Sequence, residues 1–254
     1  CCGVVFSQVE SVAHRGASLS APENTLASTV KAIELGVNRI EIDVRQSKDG
    51  VLVLMNDSRL ERTTNGKGYL RDFTYEELRT LDAGSWFSGS YMGERIPTLA
   101  LILGLLANTP NTAPDLDIKE CDPVRLIDVI GASGILEKHK VTLHCSNDAL
   151  RQSIQTQIDL LKLDSLVIRQ GPFANKKSTY SVLLANQSAI INVPFRQLTK
   201  HYVDAIHSKG GAVFLDCLGR RDASRCYLKG IELGIDYIQA DQLGPLLSHL
   251  IEPE

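Results

Sequence analysis

Short apolar segments alternate with amphipathic segments along almost the whole of this 254-residue chain. The apolar segments are rich in Val, Ile and Leu, which is typical of parallel strands covered on both faces. The nine predicted strands are Val12–Arg15, Ile40–Arg45, Val51–Asn56, Asp115–Lys119, Val141–Cys145, Leu166–Arg169, Ile190–Val193, Ala212–Cys217 and Tyr237–Ala240. The predicted helices between them include Thr25–Leu35, Pro123–Ile130, Ala149–Leu161, Thr199–Lys209 and Ala223–Leu233. Strand–helix units that close on themselves form a (β/α)8 barrel, so we predict a single α/β TIM-barrel domain over residues 1–254.

Glycine and proline residues mark the boundaries of several predicted helices. Gly36, Gly210 and Gly234 follow helical segments, where a glycine is a common C-terminal cap. The pair Asp122-Pro123 has the residue types preferred at the cap and first position of a helix.

Residues 58–97 interrupt the alternation. They hold many turn formers, three of the seven tyrosines and the only tryptophan. We expect a small insertion over the barrel mouth, after the second barrel strand and its hairpin, and too short to be an independent domain.

Composition excludes several classes of partner. The net charge is −3 with a pI near 6.1, so no basic excess points to nucleic acid. No apolar run approaches the roughly 20 residues that span a bilayer, so we expect no stable membrane insertion.

The six cysteines lack metal-site spacing and are predicted to be small buried apolar residues in a reduced, cytoplasmic protein. The chain begins at Cys1 without Met, which leaves a periplasmic or secreted location open. The oligomeric state is not predicted.

Polar residues cluster at the carboxyl ends of the predicted strands, where barrels of this type carry their functional groups. They are His14, Glu41, Asp43, Asn56, Asp117 and Lys119. Glu41 and Asp43 stand two apart on one strand, so their side chains point to the same side. With Asp117 they form a set of three carboxylates, and oxygen ligands of this kind suit one divalent cation, Mg²⁺ or Ca²⁺.

Four motifs give the chain a recognisable pattern: His14-Arg15-Gly16, Pro22-Glu23-Asn24-Thr25, Glu41-Ile42-Asp43 and the run RTTNGKG from Arg62. This pattern resembles the glycerophosphodiester phosphodiesterase family, strongly through residue 119 and weakly afterwards. The resemblance implies a small-molecule phosphodiester substrate that is converted, through a cyclic phosphate, to an alcohol and a phosphomonoester.

The resemblance also implies roles for individual residues. His14 is expected to be catalytic, Glu41 and Asp43 to hold the cation, and Arg15 and Lys119 to bind the phosphate. Asp117 stands where the family usually has Glu in a Glu-x-Lys pattern, and a shorter carboxylate there shifts the ion or admits a water. Glu23 and Asn24 are expected to hold the loop and the start of the helix.

Asn56 occupies the position at which the family has its second catalytic His. Asn cannot exchange a proton near neutral pH, although it resembles His in size and offers an amide nitrogen. Three explanations stay open: an engineered inactive variant, a natural enzyme that works with one His, or a natural pseudoenzyme.

Two further alternatives and a substrate hypothesis follow from the same residues. The chain is alternatively a non-enzymatic phosphodiester binder, or a lyase-type phosphodiesterase similar to sphingomyelinase D. His144, Arg169 and Asp216 are polar where a lipid-facing pocket would be apolar. We therefore expect the released alcohol to be polar and rich in hydroxyl groups, such as a sugar or glycerol.

Overall fold

A computed structural model describes residues 9–172 and 189–251 of the chain. The strands are β1 (Glu10–His14), β2 (Arg39–Gln46), β3 (Leu52–Leu54), β4 (Ala113–Glu120), β5 (Val141–His144), β6 (Leu166–Gln170), β7 (Ile190–Asn192), β8 (Ala212–Cys217) and β9 (Tyr237–Ala240). The α-helices are α1 (Leu26–Glu34), α2 (Tyr75–Leu78), α3 (Leu99–Ala107), α4 (Pro123–Ala132), α5 (Asp148–Leu161), α6 (Lys200–His207), α7 (Ser224–Leu233) and α8 (Leu243–Leu250). In these parts of the chain, no helix is long and apolar enough to cross a membrane.

One sheet contains all nine strands in the order β1-β9-β8-β7-β6-β5-β4-β2-β3, and a further pairing joins β1 to β2. Eight strands are parallel and form a closed ring with helices between them, and β3 pairs antiparallel with β2 as a hairpin. The fold is a (β/α)8 barrel, which confirms the predicted fold class. The predicted caps are also confirmed, because Gly36, Gly210 and Gly234 have φ values of 77°, 76° and 71° and Asp122 caps α4.

The chain divides into two compact units, of which the larger is Ala13–Ile168. Its strand β2 is buried on both sides, and its residues alternate in character along the strand. Ile40, Ile42 and Val44 are fully buried apolar residues, and the charged Glu41 and Asp43 between them point to the opposite face. This alternation places two carboxylates on one face of a rigid strand.

The segment 58–97 packs against the β2–β3 hairpin and has its own small apolar core. The buried residues of this core are Val53, Met55, Leu60, Leu70, Leu78, Ala83 and Ile96. The hydroxyl of Tyr91 donates a hydrogen bond of 2.8 Å to the carbonyl oxygen of Ser20, which connects the segment to the loop after β1. The placement of this segment over the barrel mouth stays a prediction.

The other unit, described over residues 9–12, 169–172 and 189–251, has a core between β7–β9 and the helices α6–α8. Cys217 on β8 and Cys226 on α7 form a disulfide within this core. The prediction that these cysteines are free was therefore wrong. The bond forms because the strand and the helix bring the two buried side chains into contact. Cys145 is buried and free as predicted, and Cys1 and Cys2 lie outside the described residues.

Candidate active site

The loop after β1 carries the first motif and has an unusual backbone. Arg15 and Asn24 adopt left-handed conformations with φ of 58° and 57°, and Gly16 has φ of 80°. A Cβ at Gly16 would lie 2.8 Å from the backbone carbon of Ser28, so only glycine fits where the loop approaches α1. Thr25 caps α1 through a reciprocal pair of hydrogen bonds with Ser28. The loop is thus tied to the start of α1.

Asn24 holds Asp43 through two hydrogen bonds. Its Nδ2 donates to Asp43 Oδ2 at 2.7 Å, and its Oδ1 accepts from the Asp43 backbone N–H at 3.0 Å. Both residues are almost fully buried. The sequence predicted that Asn24 shapes the loop, and it missed that Asn24 also fixes the orientation of a predicted metal ligand.

Glu41, Asp43 and Asp117 converge, and their candidate ligand oxygens all lie within 4.8 Å of one another. Burial, together with the negative charges of Asp43 and Asp117, raises the pKa of Glu41 well above its ordinary value. Bringing three carboxylates together in a buried place is costly without positive charge nearby. A set of oxygen donors with this excess of negative charge fits a hard divalent cation such as Mg²⁺ or Ca²⁺.

Two cationic side chains contact the same carboxylates. Lys119 Nζ lies 2.9 Å from Asp43 Oδ1 and 2.7 Å from Asp117 Oδ2, and Arg15 Nε lies 3.2 Å from Asp43 Oδ2. The backbone N–H of Arg15 also donates to Glu41 Oε2 at 2.9 Å. Partial burial alone would lower the pKa of both cations, but the neighbouring carboxylates outweigh burial and raise the pKa of each.

Asn56 reaches the same group of side chains. Its Nδ2 donates to Asp43 Oδ1 at 3.0 Å. Arg45 fixes the backbone of Asn56 by donating from Nε and Nη2 to its carbonyl oxygen, at 3.0 and 2.7 Å. His14 ends β1 directly before Arg15 and is half-buried. The structure therefore brings Arg15, Asn56 and Lys119 to the three carboxylates, and His14 directly precedes Arg15 in the chain.

His144 has a partner that the sequence did not reveal. Its Nδ1 lies 3.3 Å from Asp117 Oδ1, because the parallel register of β4 and β5 places these two residues side by side. Burial would raise the pKa of Asp117, but the hydrogen bond from His144 and the charge of Lys119 outweigh it and hold that pKa well below its ordinary value. His144 therefore supports a carboxylate of the cluster.

An outer network connects the loop after β1 to the segment 58–97. Arg62 donates to both carboxylate oxygens of Glu23 at 2.8 Å and to Asp57 at 2.6 and 3.0 Å. Glu23 in turn accepts from Arg15 Nη1 at 2.9 Å. Sequence reasoning missed this role of Arg62, although the RTTNGKG motif that contains it was the available signal.

Arg169 and Asp216 come together within the smaller unit. The buried guanidinium of Arg169 lies 3.8 Å from the centre of the Phe214 ring, and its Nη1 lies 3.8 Å from Asp216 Oδ1. Asn192 Nδ2 donates to Asp216 Oδ2 at 2.7 Å. The part that these residues play in recognising an alcohol stays a prediction.

Comparison with known proteins decides the family. A model described as the glycerophosphoryl diester phosphodiesterase family matches residues 14–230. The chain belongs to this family. The match begins at His14 and includes all the residues of the carboxylate cluster.

Two curated relatives and two solved structures illustrate the similarity. The chain is 50% identical over 97 residues to a glycerophosphodiester phosphodiesterase of Caldanaerobacter subterraneus subsp. tengcongensis, covering 38% of this chain and 40% of that protein. It is 39% identical over 129 residues to one of Bacillus subtilis, covering 44% of each chain. In these sequence matches the chain spans about two fifths of the relatives' length.

The solved structures match over almost their whole length. A glycerophosphodiester phosphodiesterase from Agrobacterium tumefaciens has a TM-score of 0.84 at 27% identity, covering 94% of this chain and 99% of that chain. An Oleispira antarctica phosphodiesterase in complex with the product sn-glycerol-3-phosphate has a TM-score of 0.82 at 26% identity, and the match covers 94% of this chain and 95% of that chain.

Proposed function

We propose that the chain is a metal-dependent phosphodiesterase that acts on a glycerophosphodiester or sugar phosphodiester and releases an alcohol and a phosphomonoester. The observation that carries the proposal is the convergence of Glu41, Asp43 and Asp117 beside Arg15 and Lys119. The family membership supports it, since fold alone would not specify a reaction.

The carboxylates would hold one cation, Mg²⁺ or Ca²⁺, which when bound polarises the phosphoryl oxygens as a Lewis acid. Arg15 and Lys119 bind the remaining anionic oxygens of the diester, Arg15 through its planar guanidinium and Lys119 as a point charge. A neighbouring substrate hydroxyl attacks phosphorus, and the bond to the alcohol oxygen breaks as the cyclic phosphate forms. His14 takes the proton of that hydroxyl. One water molecule then attacks phosphorus and opens the cyclic phosphate, which gives the phosphomonoester.

The second proton transfer is the one to the departing alcohol, and position 56 offers no ionisable side chain for it. The departing alcohol oxygen therefore takes its proton from solvent, and we expect slow turnover by this chain. Asn56 donates to Asp43 and keeps that carboxylate in place.

Cleavage of a glycerophosphodiester tests the proposal directly. We expect alcohol release to require Mg²⁺ or Ca²⁺, to stop with a chelator, and to fall about 10²-fold or more in His14→Ala. His201→Ala removes an exposed histidine on α6 and serves as the matched control. Cleavage that persists in chelator, or that survives loss of His14, would refute the assignment.

A binding function is the second candidate, and Asn56 is the observation that favours it. A binder would keep the metal and phosphate contacts and release the diester unchanged. It predicts metal-dependent binding of the diester with no alcohol released over many hours. A lyase-type reaction would instead leave the cyclic phosphate as the final product, which phosphorus NMR distinguishes from the monoester.

The disulfide favours the exported location over the cytoplasmic one, because such bonds persist in oxidising compartments. Alkylation of free thiols in protein taken from its native host tests this point. Blocked Cys217 and Cys226 support export, and reactive thiols at both positions support the cytoplasm.

A further inference from the structure

A cavity of about 120 Å³ lies next to the carboxyl end of β2. Arg45, Ser58, Tyr69, Arg71 and Glu120 are among the residues that line it. Its volume is several times the roughly 10–15 Å³ that one water molecule needs. The cavity therefore has room for a small polar group.

The charges that line the cavity are not balanced. Arg45 Nη1 lies 3.6 Å from Glu120 Oε2, and Arg71 Nη1 lies 3.5 Å from Glu120 Oε1. Both distances exceed the 2.7–2.9 Å of a direct charge-assisted hydrogen bond. Two guanidinium groups thus share one carboxylate, and the Glu120 side chain is 54% exposed, so it can turn into solvent. The side chains that line the cavity therefore carry one net positive charge.

Arg45 is held by further contacts, and Arg71 lies near an aromatic ring. Arg45 uses Nε and Nη2 on the Asn56 carbonyl, which leaves Nη1 directed at Glu120 across the cavity. The guanidinium of Arg71 lies 5.5 Å from the centre of the Tyr69 ring. The hydrogen bonds of Arg45 reduce the conformational entropy that this side chain would lose on binding a ligand.

The cavity is close to the proposed reaction centre. Arg45 follows Asp43 by two residues on β2, about 6.6 Å along the strand. Asn56 contacts both residues, because its carbonyl oxygen accepts from Arg45 Nε and its Nδ2 donates to Asp43 Oδ1. The separation along the strand is spanned by a few bonds of a substituent on the diester. One molecule can therefore place its phosphate at the carboxylate cluster and a second group in the cavity.

We propose that this cavity binds an anionic group, a carboxylate or a phosphate, on the alcohol moiety of the diester. Arg45 and Arg71 supply the positive charge, and Glu120 makes way for the ligand. The inference rests on the proposed function and narrows its substrate class to diesters with a charged alcohol.

Glycerophosphoserine and glycerophosphoethanolamine test the inference because they differ by a single carboxylate. Titration calorimetry of the whole chain with Mg²⁺ should show that the serine diester binds about 2–5-fold more tightly, the range of a partly exposed ion pair. Arg71→Ala should bring this ratio close to one, and Glu120→Gln should increase it. Arg79→Ala removes the same charge from an exposed site in segment 58–97 and should leave the ratio unchanged.

Equal affinity for the two diesters, both bound only with metal, would overturn the inference and leave the proposed function intact. A ratio that falls as much in Arg79→Ala as in Arg71→Ala would also overturn it, since the effect would be one of net charge. Failure of both diesters to bind would overturn the proposed function and the inference together.

Discussion

Replacement of Asn24 tests how strongly the fold orients Asp43. Asn24→Ala removes the hydrogen bond to the Asp43 carboxylate, worth about 1.5–3 kcal/mol, and the one from its N–H, worth about 0.5–1.5 kcal/mol. It also places alanine at a φ of 57°, which costs roughly 1–2 kcal/mol. The free energy of unfolding should therefore fall by about 3–6.5 kcal/mol, and it is measured by urea denaturation with chelator present.

A second substitution separates these contributions. Asn24→Gly removes the same hydrogen bonds without the backbone strain, so it should be about 1 kcal/mol more stable than Asn24→Ala. Asn111 serves as a control because it is exposed and has a φ of 69°. Asn111→Gly should be more stable than Asn111→Ala by a similar amount, and Asn111→Gly should itself differ little from the original chain in free energy of unfolding. If Asn24→Gly is as stable as the original chain, the two hydrogen bonds to Asp43 do not contribute as we have argued.

Three further predictions concern other parts of the chain. Arg62→Ala should weaken metal-dependent diester binding several-fold by loosening the loop after β1, yet change the free energy of unfolding by less than about 1 kcal/mol, since Arg62 is 43% exposed. The hydrogen bond to Asp236 outweighs partial burial and raises the pKa of His207, so this pair stabilises the fold in full below about pH 6.5 and loses that contribution as the pH rises through the higher folded value. The stability lost in His207→Ala should thus shrink above neutral pH, and a gap that grows would contradict the pairing. Double replacement of Cys217 and Cys226 by alanine should cost roughly 2–3 kcal/mol, as expected for a disulfide across nine residues, and added reductant should then have no further effect on the urea midpoint.

The sequence predicted the barrel and most of the cluster because both depend on local patterns. Apolar runs and glycine caps specify where strands and helices begin and end, without knowledge of their partners. The alternation in β2 then determines that Glu41 and Asp43 share a face. The two-residue period of a strand is enough for that step.

The contacts that the sequence missed join residues far apart in the chain. Arg62 and Glu23 are 39 positions apart, and no local sequence pattern predicts a hydrogen bond between two separate loops. The pairing of His144 with Asp117 depends on the register between β4 and β5. The spacing of Cys217 and Cys226 excludes a metal site but not a disulfide, because a strand and the helix after it can bring together two cysteines nine residues apart.

We infer that the chain has the residues of a metal-dependent phosphodiesterase, with one proton-transfer group missing at Asn56. The most direct measurement compares cleavage of a glycerophosphodiester by the original chain, by Asn56→His and by the exposed control Asn108→His. We predict a gain of about 10²-fold or more for Asn56→His alone, abolished by chelator, because a positioned proton carrier is worth at least that factor. If all three proteins bind the diester with metal and none cleaves it, the chain is a binder and the proposed reaction is wrong.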